Sequence, residues 1–388
     1  MEKLYKNFLL PGGLLAGTVI GAGMFALPSL FVKSGLLAGA VALAFGAGVY
    51  LLIHLLYADL IVRSPGEHRF AGYAKLYLGR AGFWLAAAVA ILEMVSVLTI
   101  YLILSVSFSN LIFPGSPEVK LIFFWALGSA AMFLSVKRLA LAEFLIVAGM
   151  IAIVAGIVAL GIPRVARVTE VGVFGGWGTL FFPLGPALFA LSGRVAIPST
   201  VAYFRERGVL HSRRALRSVI TLGTLVPAAV YALFAVAVLS LSSTVSDDSV
   251  TGLIGSIPSW ALVAVGALGL TAIWSSYITA GIDTKSVFHY DLRVPPSVAA
   301  AVAVAAPLLL YFAGFQNFIE LVSFVGGIFL ALEGLLVIAM WWSAKRFEPH
   351  HPPLLGKVPA IATGAAALLF TVVMFREIFQ YVSAHWFR

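Results

Sequence analysis

The chain has 388 residues, of which 61% are hydrophobic and only 11% charged, with a mean hydropathy of +1.04. A soluble domain carries about 25% charged residues, so a water-soluble enzyme and a disordered chain are both excluded. The formal net charge is +9 and there is no cysteine, which removes disulfides, thiol catalysis and cysteine-ligated metals or clusters. The apolar runs are continuous over about twenty residues or more, the length that crosses a ~30 Å hydrocarbon core as a helix. Membrane strands alternate apolar and polar residues instead. Residues 1–388 therefore read as one all-α polytopic transmembrane domain.

The start, Met1-Glu2-Lys3-Leu4, leads into an apolar stretch without a small-residue cleavage site, so no removable signal peptide is expected. Eleven apolar segments are predicted, at 8–32, 35–62, 82–113, 119–136, 140–162, 173–203, 218–242, 258–285, 296–314, 316–343 and 357–382. With a cytoplasmic amino terminus, 18 of the 25 Lys and Arg residues fall in inner loops, Lys3, Lys6, Lys137 and Arg138 among them. The outer loops hold Lys33, Lys120, Arg164, Arg167 and Arg388, with the acidic pair Asp247-Asp248. Positive charge in short loops orients a membrane protein this way. The basic balance is thus a topology signal: a multi-pass protein of the plasma (inner) membrane, surrounded by lipid, with its carboxyl terminus outside. Nucleic acid is not needed to explain it.

Segment 1 contains Pro11-Gly12-Gly13, then Gly17, Gly21 and Gly23, then Pro28. Inside a helix, glycine costs about 1 kcal/mol against alanine and proline about 3, so the helix is predicted to break near Gly21. At the helical rise, Gly21 lies about 18 Å from Leu9, near the bilayer middle. Unwound backbone at that depth must line a protein or water cavity. Its N–H groups suit a carboxylate, and its carbonyls suit an ammonium group or sodium.

Segment 2 carries His54, whose ring titrates near neutral pH and suits proton coupling, although a lone helix histidine is more often structural. Asp59 with Arg63, and Asp283 with Lys285 near the end of segment 8, are expected to be interfacial charges near the cytoplasmic surface. In segment 3, Glu93 lies about 15 Å along the helix from Gly82, level with the break. A carboxyl at that depth is a functional candidate: a proton carrier, a substrate contact, or a structural hydrogen-bonded group. Ser96 shares its face, and Tyr101 lies further outward.

Segment 6 repeats the theme of segment 1, with Phe182-Pro183-Leu184-Gly185-Pro186 and Ala190-Leu191-Ser192-Gly193. Gly23-Met24-Phe25-Ala26-Leu27-Pro28-Ser29 and Gly193-Arg194-Val195-Ala196-Ile197-Pro198-Ser199 share Gly-x-x-Ala-(Leu/Ile)-Pro-Ser, 170 positions apart. Segments 1 and 6 run in opposite directions, so two five-helix repeats of inverted topology are expected, over 8–162 and 173–343, with 357–382 as an extra helix. Arg194 suits pairing with a carboxylate that the sequence does not identify. Ser275 and Thr279 lie one turn apart in segment 8, either at an ion or bonded to their own helix. In segment 10, Glu320 lies near the outer mouth beside Asn317, as a gate or a solvated residue. Glu333 is deeper, for proton handling or pairing; thirteen residues apart, the two do not share a helix face.

These motifs carry a family resemblance. Thr18-Val19-Ile20-Gly21-Ala22-Gly23-Met24-Phe25-Ala26-Leu27-Pro28 resembles the first-helix signature of amino-acid permeases of the amino acid–polyamine–organocation superfamily, most nearly the hydroxy and aromatic amino acid permease branch with eleven helices. Phe189 to Ser199 resembles the sixth helix of that branch. The resemblance implies a LeuT-type fold of five plus five inverted helices with helices 1 and 6 broken. It also implies that the backbone of Ile20, Gly21, Ala22 and Gly23 holds a substrate carboxylate. Carbonyls around Thr18, Phe189, Ala190 and Ser192 then hold its ammonium. Arg194 departs from that pattern, where a histidine or smaller residue is more usual. Trp274 stands where related sodium symporters place a hydroxyl.

The expected function is secondary active transport of an amino acid, neutral and aromatic or hydrophobic, by alternating access. Candidate substrate contacts include Glu93 and Tyr101; candidate coupling groups are Glu93, Glu333, His54, Ser275 and Thr279; Glu320 and Arg194 are candidate gates. The coupling ion is a proton or sodium, with no other cofactor or metal. An amino-acid-sensing receptor on the same fold is the alternative. A membrane enzyme finds no support in the motifs, since neither His-Glu-x-x-His nor Gly-x-Ser-x-Gly occurs.

Overall fold

In lipid, a backbone N–H or C=O must find its partner within the protein, so continuous apolar runs of this length fold as helices. The computed structural model describes residues 8, 10–133, 139–207, 212–347 and 352–386, and the regular structure among them is helical. Lys3, Lys6, Lys137, Arg138 and Arg388, counted above in the charge distribution, lie outside the described residues.

Segment 1 is split into α1 (Leu10–Val19) and α2 (Leu27–Ser34), joined by a 3-10 turn over Ala22–Ala26. Segments 2 to 5 form α3 (Leu36–Arg63), α4 (Phe70–Asn110), α5 (Pro117–Ala131) and α6 (Leu139–Gly161). Segment 6 is split into α7 (Leu184–Leu191) and α8 (Ala196–Glu206). Then follow α9 (Arg213–Leu241), α10 (Ser259–Ser286) and α11 (Pro296–Phe312). Segment 10 forms α12 (Phe318–Phe324), a π-helical turn (Val325–Phe329) and α13 (Leu330–Ala344), and segment 11 forms α14 (Ala360–Trp386). Among the described residues, eight helices are long and apolar enough to cross a membrane. The pair Pro11–Val19 and Ala22–Ser34, bent by 40°, makes a ninth if it is one span, and Pro296–Phe312 is a shorter apolar helix.

Two boundaries differ from the hydropathy reading. Segment 3 begins at Phe70 and not at 82, because residues 70–78 form an amphipathic helix that Lys75 and Arg80 disguise as polar. Phe70, Ala71, Tyr73 and Ala74 bury one face of it, and Gly79, at φ +76°, kinks it into the membrane helix. Segment 6 begins later than 173. Residues 171–175 instead run along the corner at 34–37, where Leu36 N–H donates to Gly172 C=O (3.1 Å) and Gly175 N–H to Ser34 C=O (3.0 Å). Gly35 makes that corner at φ +89°, and a Cβ there would run into Gly175.

Every residue of the 3-10 turn and of α7 is buried, so the two interrupted segments form the centre of the bundle. The peripheral stretches Gly149–Glu170 and Ala360–Ser383 bury little of themselves against protein. Two ion pairs join loops that are distant in sequence: Lys33 with Asp247 (2.5 Å), and Arg205 with Glu67 (2.7 Å).

One expected interfacial charge is corrected. Asp59 is fully buried and accepts from Arg63 Nε (2.8 Å), Trp341 Nε1 (2.7 Å) and Leu355 N–H (3.0 Å). Three donors offset the cost of burying its charge, and the carboxylate ties α3 to α13 and to the chain before α14. Lys285 does not bond Asp283; its Nζ donates to Met132 C=O at 2.9 Å.

Candidate functional site

The site is built from backbone that the sequence makes unfit for helix. α1 stops at Val19, and Gly21 is extended at φ −145°, ψ −154° before the 3-10 turn. Tyr231 of α9 bridges the gap: its hydroxyl donates to Val19 C=O and accepts from Gly21 N–H at 3.4 Å. A tyrosine in an apolar helix needs a partner for its O–H, and here the unwound backbone supplies it. The loop carrying Asp247 covers one end of this region. Ser249, at φ +60° and buried, donates to Phe25 C=O at 2.6 Å, while Phe25 is edge-on to Phe108 and Phe234.

α7 ends at Leu191, and Ser192 is extended at φ −66°, ψ 133°. Its Oγ donates to Phe189 C=O at 3.0 Å. The two breaks touch. A Cβ on Gly23 would run into the backbone of Ala190, and one on Gly193 would lie 3.4 Å from His54 Nε2. The start of the 3-10 turn, with its unpaired N–H groups, therefore sits beside the carbonyl end of α7. Behind the second break, His54 Nδ1 lies 2.9 Å from Thr224 Oγ1, and Thr224 donates to Ile220 C=O at 2.8 Å. Because the threonine has one proton and gives it to that carbonyl, Nδ1 is the donor to Thr224. His54 Nε2 is buried and has no hydrogen-bond partner among the described residues.

Arg194, within the second break, reaches Glu333 of α13: Nε lies 2.5 Å from Oε2, with both side chains buried. The contact is Coulombic, since neither atom makes an aligned hydrogen bond. The guanidinium sits 4.2 Å above the Phe70 ring. The Glu93 carboxyl of α4 is in side-chain contact with that of Glu333 and within range of Arg194. Tyr50 and Tyr57 of α3 face the same cluster. Tyr50 Oη and Glu93 Oε2 are buried with no hydrogen-bond partner among the described residues. The structure thus supplies the carboxylate for Arg194 that the sequence left open.

The family model described as the tryptophan/tyrosine permease family matches residues 5–379. The chain belongs to that family. It is an amino-acid permease, a transporter and not an enzyme. A manganese transporter of Eremococcus coleocola, solved in complex with an aromatic bis-isothiourea substituted compound, has a similar fold. The TM-score is 0.61 at 12% sequence identity, over 96% of this chain and 85% of that one. No curated protein matches by sequence.

The remaining candidates of the permease are placed as follows. Ile20, Ala22 and Gly23 are buried at the first break, and Phe189 and Ala190 at the second, whereas Thr18 is exposed. Tyr101 lies beside Ser276 of α10 and neighbours Tyr231. Ser275 is buried while Thr279 is exposed and donates to Ser275 C=O at 3.1 Å. Glu320 is exposed and forms a reciprocal cap with Asn317 at the start of α12, each bond 3.1 Å; it is not brought to Arg194. Tyr231, Tyr50 and Thr224 escaped the sequence reading. Their only signal is a hydroxyl in an otherwise apolar helix.

Proposed function

We propose that the permease is a secondary active transporter that moves an aromatic amino acid by alternating access, with a proton as the coupling ion. The observation that carries this reading is the contact between Gly23 and Ala190. It sets the N-terminal pole of the 3-10 turn beside the C-terminal pole of α7, and opposite helix poles at close range suit the carboxylate and ammonium of a zwitterion. The N–H groups of Ala22 and Gly23 take the carboxylate. The carbonyls of Phe189 and Ala190 take the ammonium, and Tyr231 keeps the backbone between them from rewinding.

In this reading the fold is of LeuT type: eleven spans, two inverted repeats of five, and α14 as the additional helix. The matched motifs at Gly23–Ser29 and Gly193–Ser199, each beginning at a break, support it. The proton is favoured over sodium because a titratable carboxyl, Glu93, lies against the Arg194–Glu333 pair. Among the described residues no group of three His, Asp or Glu side chains is arranged to hold a metal, and the cargo of the manganese transporter is not carried over.

Uptake of radiolabelled tryptophan and tyrosine into proteoliposomes, with pH and sodium gradients imposed separately, tests the proposal. Accumulation under the pH gradient is expected, and Glu93→Gln is expected to abolish it in a folded protein. Saturable binding without accumulation under either gradient would replace the transporter with a receptor.

A further inference from the structure

Arg194 belongs to the break of segment 6 itself and is the cation of a three-member cluster whose other members are carboxyls on two different helices, Glu333 on α13 and Glu93 on α4. One guanidinium balances one carboxylate. With both carboxyls ionised the cluster has a net negative charge, and an unbalanced charge at bilayer depth costs several kcal/mol. Neutrality therefore needs one proton on the pair of carboxyls. Which carboxyl holds it decides which one Arg194 pairs with. Glu333 also stands one turn beyond the π-helical turn Val325–Phe329, an irregular turn of the kind that recurs at functional sites. On its other side that turn meets α7, since a Cβ on Gly326 would run into Gly185 C=O.

We propose that Arg194 is a partner-exchanging cation that converts protonation of Glu93 into movement of the helix-6 break. With the proton on Glu93, Arg194 pairs with Glu333, the arrangement seen here. When Glu93 releases its proton to the aqueous side then open, the cluster carries one uncompensated negative charge, whose cost draws Arg194 off Glu333 to a position between the two carboxylates, toward α4, and the backbone of Gly193–Val195 moves with it. The return proton to Glu93 restores the pair with Glu333. The inference rests on proton coupling and deepens it by naming the element that the proton moves. The other groups facing the cluster are Tyr50, His54 and Tyr57 from α3. Asp283 of α10 acts on Arg194 from a further side. Of these, Tyr50, Tyr57 and His54 each present a buried polar atom with no aligned hydrogen-bond partner among the described residues, and Tyr57 lies within reach of the guanidinium, so none of them fixes Arg194 on one carboxyl.

The chain has no cysteine, so a single Ala202→Cys on half-exposed α8 can report the position of that half-helix. Reaction with a membrane-impermeant maleimide is followed in acidic and alkaline buffer, each rate divided by that of the same cysteine in the unfolded chain at the same pH, which removes the change in thiolate fraction. On the otherwise unchanged chain, labelling is expected to change with pH by roughly threefold or more. Glu93→Gln is expected to hold it at the acidic level at every pH, because Arg194 then keeps Glu333. Glu333→Gln is expected to hold it at the alkaline level, because Arg194 then has only Glu93. Labelling that stays pH-dependent in either variant overturns the exchange. Should Glu333→Gln not fold, Arg194→Lys decides. An ammonium on a flexible stem cannot reproduce the guanidinium fork, so pH-dependent labelling is expected to vanish, and its persistence overturns the proposal. If wild-type protein shows no accumulation under a pH gradient, it is the transport reading that fails, and the labelling series shows that separately.

Discussion

The α-carbon of Gly23 rests against the backbone of Ala190, so two interrupted helices from opposite halves of the chain meet with no side chain between them. Gly23→Ala is therefore expected to push the breaks apart. Overpacking of this kind costs about 1–3 kcal/mol, and substrate affinity should fall roughly tenfold or more. Gly21→Ala is the control: the nearest atom to its Cβ is 3.9 Å away, so thermal unfolding should barely change. Binding and melting curves of the two variants check the contrast, and equal losses would contradict it. A larger side chain, as in Gly21→Leu, is expected to remove substrate binding by projecting into the unwound segment.

Tyr231→Phe removes one hydroxyl and with it both bonds across the first break, to Val19 C=O and from Gly21 N–H. Leaving buried backbone groups unpaired costs about 1–3 kcal/mol. The expected result is a lower unfolding temperature together with faster backbone amide exchange confined to residues around Gly21. Exchange unaltered there would mean that the tyrosine does not brace the break.

Asp59 gives a purely structural prediction. Its carboxylate accepts from Arg63, Trp341 and Leu355 in a buried setting. Asp59→Ala strands the Arg63 charge and the Trp341 indole N–H, and breaking a buried pair costs about 3–5 kcal/mol. Yield and thermal stability should drop sharply, while the protein that does fold should keep its affinity for substrate. A folded, stable Asp59→Ala protein with weakened binding would place the residue in the site instead.

Thr224→Val leaves His54 Nδ1 without its acceptor, at about 1–3 kcal/mol for the unpaired donor. Thr224→Ser keeps the hydroxyl and should restore stability. The readout is the nitrogen chemical shifts of the His54 ring, assigned among the seven histidines as the signals lost in His54→Gln: the valine variant is expected to lose the fixed Nδ1–H tautomer. A tautomer unchanged in Thr224→Val would show that another group holds the ring.

Much of this molecule was legible in sequence because lipid enforces a one-dimensional rule. Each apolar run must satisfy its own backbone, so hydropathy marked the runs that fold as helices. Glycine and proline costs are local as well, and so the breaks at Gly21 and Ser192 were readable from Gly17, Gly21, Gly23 and Pro28 and from Pro183, Gly185, Pro186 and Gly193. The amphipathic start of α4 at Phe70 was not, because its burial depends on a protein surface and not on lipid.

The partners of the polar side chains belong to tertiary structure alone. Nothing within segment 6 says that Arg194 meets Glu333 and not Glu320, for the choice is made by the rotation of α13 against the break, 139 residues further along the chain. The same holds for Tyr231, 212 positions from the carbonyl it caps, and for Asp59, taken for an interfacial charge until Trp341 and Leu355 closed over it. Sequence determined which residues are too costly at depth to be accidental. Packing decided which of them touch, because Coulomb and hydrogen-bond energies act over a few ångströms that only the folded helices bring together.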